Sequence, residues 1–168
     1  MNNELDKIIV EYFSYDAESG IILWKKNPGK RNLLNKEAGS LRPDGYRHIA
    51  INGKCVLSHR VAWFLHYNCW PEKYIDHIDG NKINNNIKNL READVFENAY
   101  NSLTPKNNTS GVKNVYWNKQ KSKWMARINL KGKCKFIGLF DDLDLAELAV
   151  MEAREKLHGK YFNHGWSK

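Results

Sequence analysis

The chain has 168 residues, a net charge of +8 and 42% hydrophobic residues, enough apolar content for a packed core and too much for global disorder. No apolar run approaches the roughly 18 residues that a membrane span needs. Three scattered cysteines, Cys55, Cys69 and Cys134, make neither a disulfide framework nor a Cys-x-x-Cys zinc site. The length suits one ordinary domain or two small ones. The opening Met-Asn-Asn-Glu-Leu-Asp-Lys lacks the basic-then-apolar pattern of a signal peptide, so a cytoplasmic protein is expected.

In chain order, residues 4–13 read as a short amphipathic helix, and 20–26 as a strand after a Ser-Gly turn. Residues 27–36 are polar, with Pro28 and Gly29, and read as a loop. Alternation over 46–51 ends at Asn52-Gly53, a tight-turn pair that predicts a hairpin into 54–58. Val61, Ala62, Phe64 and Leu65 then give one apolar side of a helix over 59–67. Residues 75–81 read as a short strand running into an Asp-Gly-Asn turn, followed by an irregular Asn-rich stretch and a helix over about 92–101. Residues 102–111 contain a single apolar side chain and read as a linker. Beyond it, 112–118, 123–130 and 133–140 are expected strands, with Lys131-Gly132 as a hairpin turn. The second strand alternates cleanly: Trp124, Ala126 and Ile128 on one face, Met125, Arg127 and Asn129 on the other. A helix over 142–158 follows, capped by Asp142, striped by Ala146, Ala149, Val150, Ala153 and Leu157, and stopped by Gly159. The expected fold class is α+β.

Candidate chemistry lies at Asp76-His77, Asn89 and Asn98. Hydrolysis of a phosphodiester needs a base to take a proton from water and a divalent cation on a phosphate oxygen. Histidine is the natural base near neutral pH, and magnesium needs only one or two protein oxygens. By residues alone the case stays open, since an isolated Asp-His pair is more often structural and an Asn-rich loop is often only a loop.

The ordered set His59-Arg60-Val61-Ala62-Trp63, Ile75-Asp76-His77-Ile78-Asp79-Gly80-Asn81, Asn86-Ile87-Lys88-Asn89-Leu90-Arg91 and Glu97-Asn98 resembles the HNH homing-type endonucleases of phages. Upstream, Gly20-Ile21-Ile22-Leu23-Trp24 and Ala38-Gly39-Ser40 are similar to the small-sheet region that often precedes the motif. The resemblance implies a ββα-metal core over about 57–101 within an HNH domain of residues 1–101. It implies His77 as general base, Asp76 and Asn98 as ligands of one divalent cation, magnesium or manganese, and Asn89 as the residue that fixes the loop. Asn98 makes this the H-N-N variant. Arg60 is a candidate phosphate contact and His59 a candidate support for the site, although a packed helix-start histidine reads equally well. His48 reads as a surface strand residue.

The charge excess is concentrated late: residues 107–168 hold 12 Lys and Arg against 6 Asp and Glu. For charge alone, a solvated strand face is the slightly favoured reading. Ser110-Gly111-Val112, Val115-Tyr116-Trp117, Lys123 to Ile128, Ile137 to Asp141, Ala146, Ala149, Ala153 and Gly159 resemble the Apetala-type (ethylene-response-factor) DNA-binding domain. That resemblance implies a domain over 112–168 whose three-stranded sheet enters the major groove while its helix packs behind. Lys113, Tyr116, Asn118, Arg127, Asn129, Lys133 and Phe136 would then face double-stranded DNA. No protein partner is implied, and monomer and homodimer both remain open. The competing reading is a DNA-binding regulator of the same two modules that does not cut; a structural zinc module has too few Cys and His in ligand spacing.

Overall fold

The computed structural model describes residues 4–165. The chain is α+β and divides into two compact units, Met1–Glu92 and Ala93–Lys168. Among the described residues no helix is long and apolar enough to cross a membrane.

The first unit opens with α1 (Glu4–Tyr12), which passes directly into an antiparallel pair, β1 (Phe13–Tyr15) and β2 (Ile22–Trp24). The expected helix therefore ends early, and Phe13 becomes a strand residue facing Trp24, ring to ring at 4.6 Å. A second small sheet orders β3 (Ser40–Leu41), β4 (Arg47–Ile51) and β5 (Lys54–Leu57). Asn52 and Gly53 both take positive φ between β4 and β5, the tight turn that their identities predict. Helix α2 (Ser58–Tyr67) follows and stops at Asn68, left-handed at φ 57°, whose N–H bonds the Phe64 carbonyl. Ile9, Phe13, Ile22, Trp24, Ile49, Val61, Phe64 and Leu90 are buried together as the core. At roughly 1.5–3 kcal/mol for each large apolar side chain, this burial is what holds the short strands in place.

The β1–β2 turn reaches the loop that follows β6 (Tyr74–His77). Gly20 sits there at φ +75°, and a Cβ on it would lie 2.3 Å from the Asn86 nitrogen. Only glycine permits both the backbone angle and the approach. The contact is reinforced by Tyr15 Oη donating to the Asn85 carbonyl at 2.8 Å and Ile87 N donating to the Ala17 carbonyl at 3.1 Å.

β6 pairs with β7 (Leu90–Ala93), a strand where the sequence predicts the start of a helix. Helix α3 begins later, at Val95–Tyr100, because Asp94 caps it. The Asp94 carboxylate accepts from Phe96 N and Glu97 N while Glu97 reaches back to Asp94 N, a reciprocal capping box.

The second unit carries α3 and an antiparallel sheet in the order β10 (Lys133–Phe140), β9 (Lys123–Leu130), β8 (Val115–Asn118). Helix α4 (Leu143–His158) packs on one face. Val115, Ala126, Ile128, Ala146 and Val150 form this core, flanked by Trp124, Ile137, Phe140, Ala153 and Leu157. Asp142 caps α4 by accepting from Asp144 N and Leu145 N, and Gly159 ends it at φ 54°. The stretch 102–111 is not a free tether. It lies inside this unit, where Asn108 Nδ2 and Ser110 Oγ donate to the Val112 carbonyl at 3.0 Å. The unit boundary falls instead at Glu92/Ala93.

One cation expected on the sheet surface is buried. Lys113 is 5% exposed, and its Nζ donates to the carbonyls of Tyr100 (2.8 Å), Asn163 (2.9 Å) and Ser102. Arg154 of α4, fully buried, donates to the Lys113 carbonyl at 3.1 Å. Burial first, and then the Arg154 charge, pull the Lys113 amine down to about 8. The folded amine therefore sheds its proton near pH 8, whereas the unfolded amine holds it to its ordinary value of 10.5. Across that window the unfolded state binds more protons, so stability rises with pH; below pH 8 the cost of burying the charge is fully present. Chemical unfolding of the parent and of Lys113→Met at pH 7 and pH 10 should show the parent gaining about 2–3 kcal/mol relative to the variant. An unchanged difference would contradict the assignment.

Candidate active site

Asp76 and His77 end β6 and are both buried, at 5% and 4% exposure. The strand is held on its far side by β7, which brings Arg91 onto Asp76. Arg91 Nε and Nη2 both reach the same carboxylate oxygen, Oδ2, at 2.8 and 2.7 Å. A fork of two donors on one oxygen fixes the carboxylate's rotation and neutralises its charge in a dry setting.

The loop after His77 is built by its amides. Asn89 Nδ2 donates to Asp79 Oδ1 at 2.9 Å and to the Asn84 carbonyl at 2.8 Å, and Asn89 Oδ1 accepts from Asp79 N at 3.0 Å. Its carbonyl accepts from Ile78 N at 2.8 Å. One side chain thus ties both ends of the loop. Burial is the largest single influence on Asp79 and pushes its carboxyl up. Donors from Asn84, Asn81 and Asn89, with His77 nearby, outweigh it and hold the carboxyl below the usual value.

The loop returns Asn85 to the histidine: His77 Nε2 and Asn85 Oδ1 are 3.1 Å apart. An amide oxygen can only accept, so the neutral ring carries its proton on Nε2 and its basic lone pair on Nδ1. Burial lowers the His77 pKa, opposed by Asn85, Asp79 and Asp76 and reinforced by the Lys82 charge. The ring is therefore neutral, the form able to accept a proton, at physiological pH.

Two aromatic neighbours pack around it. The His59 ring stands edge-on at 5.2 Å and the Tyr46 ring lies 6.1 Å away, with Tyr46 and His59 5.3 Å apart. Burial, then the His77 and Arg60 charges, lower the His59 pKa to about 3, so His59 is a neutral packing partner. Arg60 is half-buried with its guanidinium 5.9 Å from the Trp70 ring. His48 is half-buried on β4, less open than a surface strand residue. Asn98 is exposed on α3, in the second unit.

Asn85 and Arg91 are neighbours of His77 and Asp76 that the sequence alone does not single out. Asn85 stands between two other asparagines, and nothing in the row separates it from them. Arg91 was legible only through β7, whose Leu90 and Ala93 are its buried positions.

On the second unit's sheet, cross-strand partners share a face. Tyr116 pairs with Met125, Phe136 with Arg127, and Cys134 with Asn129, so these line the face away from α4. Tyr116, Arg127, Asn129 and Phe136 are exposed there, with the Arg127 guanidinium 4.6 Å over the Tyr116 ring. Asn118 lies in the same row, its Oδ1 accepting from Gln120 N and Lys121 N at 3.1 Å to close the turn. Two expected members are elsewhere. Lys113 is buried, as described. Lys133 pairs with Leu130 and Lys135 with Ile128, which places both lysines on the opposite side of the sheet.

Residues 56–100 match the HNH endonuclease family. The chain is 41% identical over 90 residues to Protein 3.8 of Escherichia phage T7, covering 52% of this chain and 72% of that protein. It is 33% identical over 88 residues to a Bacillus subtilis (strain 168) protein named "SPbeta prophage-derived putative HNH homing endonuclease YosQ", covering 52% of this chain and 50% of the relative. No solved structure matches the chain significantly. The chain belongs to the HNH endonuclease family, and Asp76, His77, Asn85, Asn89 and Arg91 all fall within the matched segment.

Proposed function

We propose that the chain is a metal-dependent endonuclease that hydrolyses phosphodiester bonds of double-stranded DNA, homing-endonuclease-like in acting at selected sites. The observation that carries this reading is the buried Asp76-His77 pair at a strand end, beside a loop clamped by Asn89, inside the segment that matches the nuclease family.

The donor chemistry suits a hard divalent cation. Asp76 would hold the ion through its carboxylate, the family pattern would make Asn98 a further oxygen ligand, and among the described residues no three His, Cys, Asp or Glu side chains group together as a zinc site would require. When bound, magnesium or manganese would polarise the scissile phosphate and offset charge on the leaving oxygen. His77 takes a proton from water as the water oxygen bonds to phosphorus and the bond to the 3′ oxygen breaks; the leaving 3′ oxygen then takes a proton from solvent, giving 5′-phosphate and 3′-hydroxyl ends. Asn85 and the Asn89-clamped loop keep the imidazole oriented. Arg91 keeps the Asp76 carboxylate from rotating.

The exposed face carrying Tyr116, Arg127, Asn129 and Phe136 is the duplex-binding surface in this reading, with the Apetala-type arrangement as its pattern. Arg127 supplies phosphate or base-edge hydrogen bonds, and Phe136 and Tyr116 supply apolar contact. In a binding titration with a mixed-sequence duplex in chelator, Arg127→Ala and Phe136→Ala should each weaken binding about tenfold, by roughly 1–2 kcal/mol. Unchanged binding by both would remove this face from the proposal and leave the nuclease site standing.

A further inference from the structure

We propose that Lys82 is a DNA-phosphate anchor set beside His77, holding a backbone phosphate next to the bond that is cut. The inference rests on reading Asp76-His77 as the nuclease site.

Lys82 is exposed on the tip of the Asn-rich loop, yet its side chain is pinned. Nζ lies 4.6 Å from the Tyr46 ring centroid and donates to the Asp44 carbonyl at 2.9 Å. Its Cδ runs so close to Gly45 that a Cβ there would meet it at 3.4 Å. Holding a lysine in one place costs rotamer freedom, so a pinned surface lysine is unusual without an acidic partner. Among the described residues no carboxylate lies within ion-pair distance of Lys82. Asp44, whose carbonyl accepts from Nζ, gives its carboxylate to Arg42 Nε (3.1 Å) and Tyr46 N (3.2 Å).

The ring beneath the ammonium is also the ring that packs on the site. Tyr46 stands 5.3 Å from His59 and 6.1 Å from His77. The cation is therefore fixed one aromatic ring away from the base. A carbonyl takes one of its three N–H donors, and among the described residues no carboxylate pairs with its charge. A phosphate oxygen is the ligand that such a donor set accepts, and duplex DNA presents a row of them. A pinned charge gives register as well as affinity, which a freely moving surface lysine does not.

The test uses the full chain carrying His77→Ala, in chelator, so that binding is read without turnover, with a short mixed-sequence DNA duplex as probe. Lys82→Met keeps the aliphatic stem over Tyr46 and removes the charge. Its affinity should fall about eightfold near 0.1 M salt, and the slope of log affinity against log salt should shrink by about 0.9, the share of one phosphate contact. Lys82→Arg should restore both, and Lys7→Met, on α1, should change neither. A Lys82→Met protein with the parent's melting temperature and an unchanged salt slope overturns the proposal. So does a loss that Lys82→Arg leaves unrepaired. Plasmid cleavage by the parent protein is scored separately, so a failure of the nuclease reading would show there and not in the binding arm.

Discussion

Replacing Arg91 by methionine lowers the unfolding free energy by about 3–5 kcal/mol, the cost of leaving a buried carboxylate without its partner. The Asp76 side chain is 6% exposed and that of Arg91 is 14% exposed, so water cannot take the guanidinium's place without opening β6 and β7. Methionine keeps much of the apolar stem, which isolates the charge as the variable. Adding Asp76→Asn to Arg91→Met removes the stranded charge, and the double variant should recover a large part of the loss. Urea unfolding of the parent, both single variants and the double variant closes the cycle. A single-variant loss below about 1 kcal/mol would mean that the pair behaves as a surface ion pair, contrary to its burial.

The second large effect is on turnover. His77→Ala should reduce DNA cleavage by about 10²–10⁴-fold, the range for loss of a general base. Duplex binding in chelator should stay within about twofold of the parent, because the proposed duplex-binding face lies on a different sheet. Asn85→Ala should give a smaller loss, since it removes the acceptor that holds Nε2 and leaves the ring in place. A His77→Ala protein that cleaves as fast as the parent, purified free of contaminating nuclease, would remove His77 from the mechanism.

Much of this arrangement was legible in the residue order. Asn52-Gly53 and Lys131-Gly132 mark tight turns, and both pairs take the positive φ values that such turns require. Asp142 and Gly159 bracket α4, and Ala146, Val150 and Leu157 face its sheet. Asp76-His77 at a strand end, with Asn89 thirteen residues after Asp76, needed the family resemblance to be read as chemistry.

The misreadings have physical causes. Residues 92 and 93, expected to start a helix, end a strand instead because β7 pairs with β6, a tertiary contact that local helix propensity does not contain. Lys113 looks like a surface cation by type, but carbonyls supplied by Tyr100, Ser102 and Asn163 form its cradle, and they come from distant points in the chain. Lys133 and Lys135 precede the bulge between Phe136 and Gly138, and plain alternation from Phe136 sets both on the other face; the bulge acts only beyond it, returning Leu139 to the outer face. Asn85 cannot be told from Asn84 or Asn86 by residue type, because its role depends on the backbone turning that one amide toward His77.

We propose that the Asp76-His77 site cuts DNA with the help of a divalent cation. Its most direct test is incubation of the purified protein with supercoiled plasmid, in magnesium and in chelator, with Asp76→Asn in parallel. Open-circular or linear product is expected from the parent in magnesium alone, with intact supercoiled plasmid in chelator and with the variant. Equal cleavage in chelator, or by Asp76→Asn in magnesium, would contradict it.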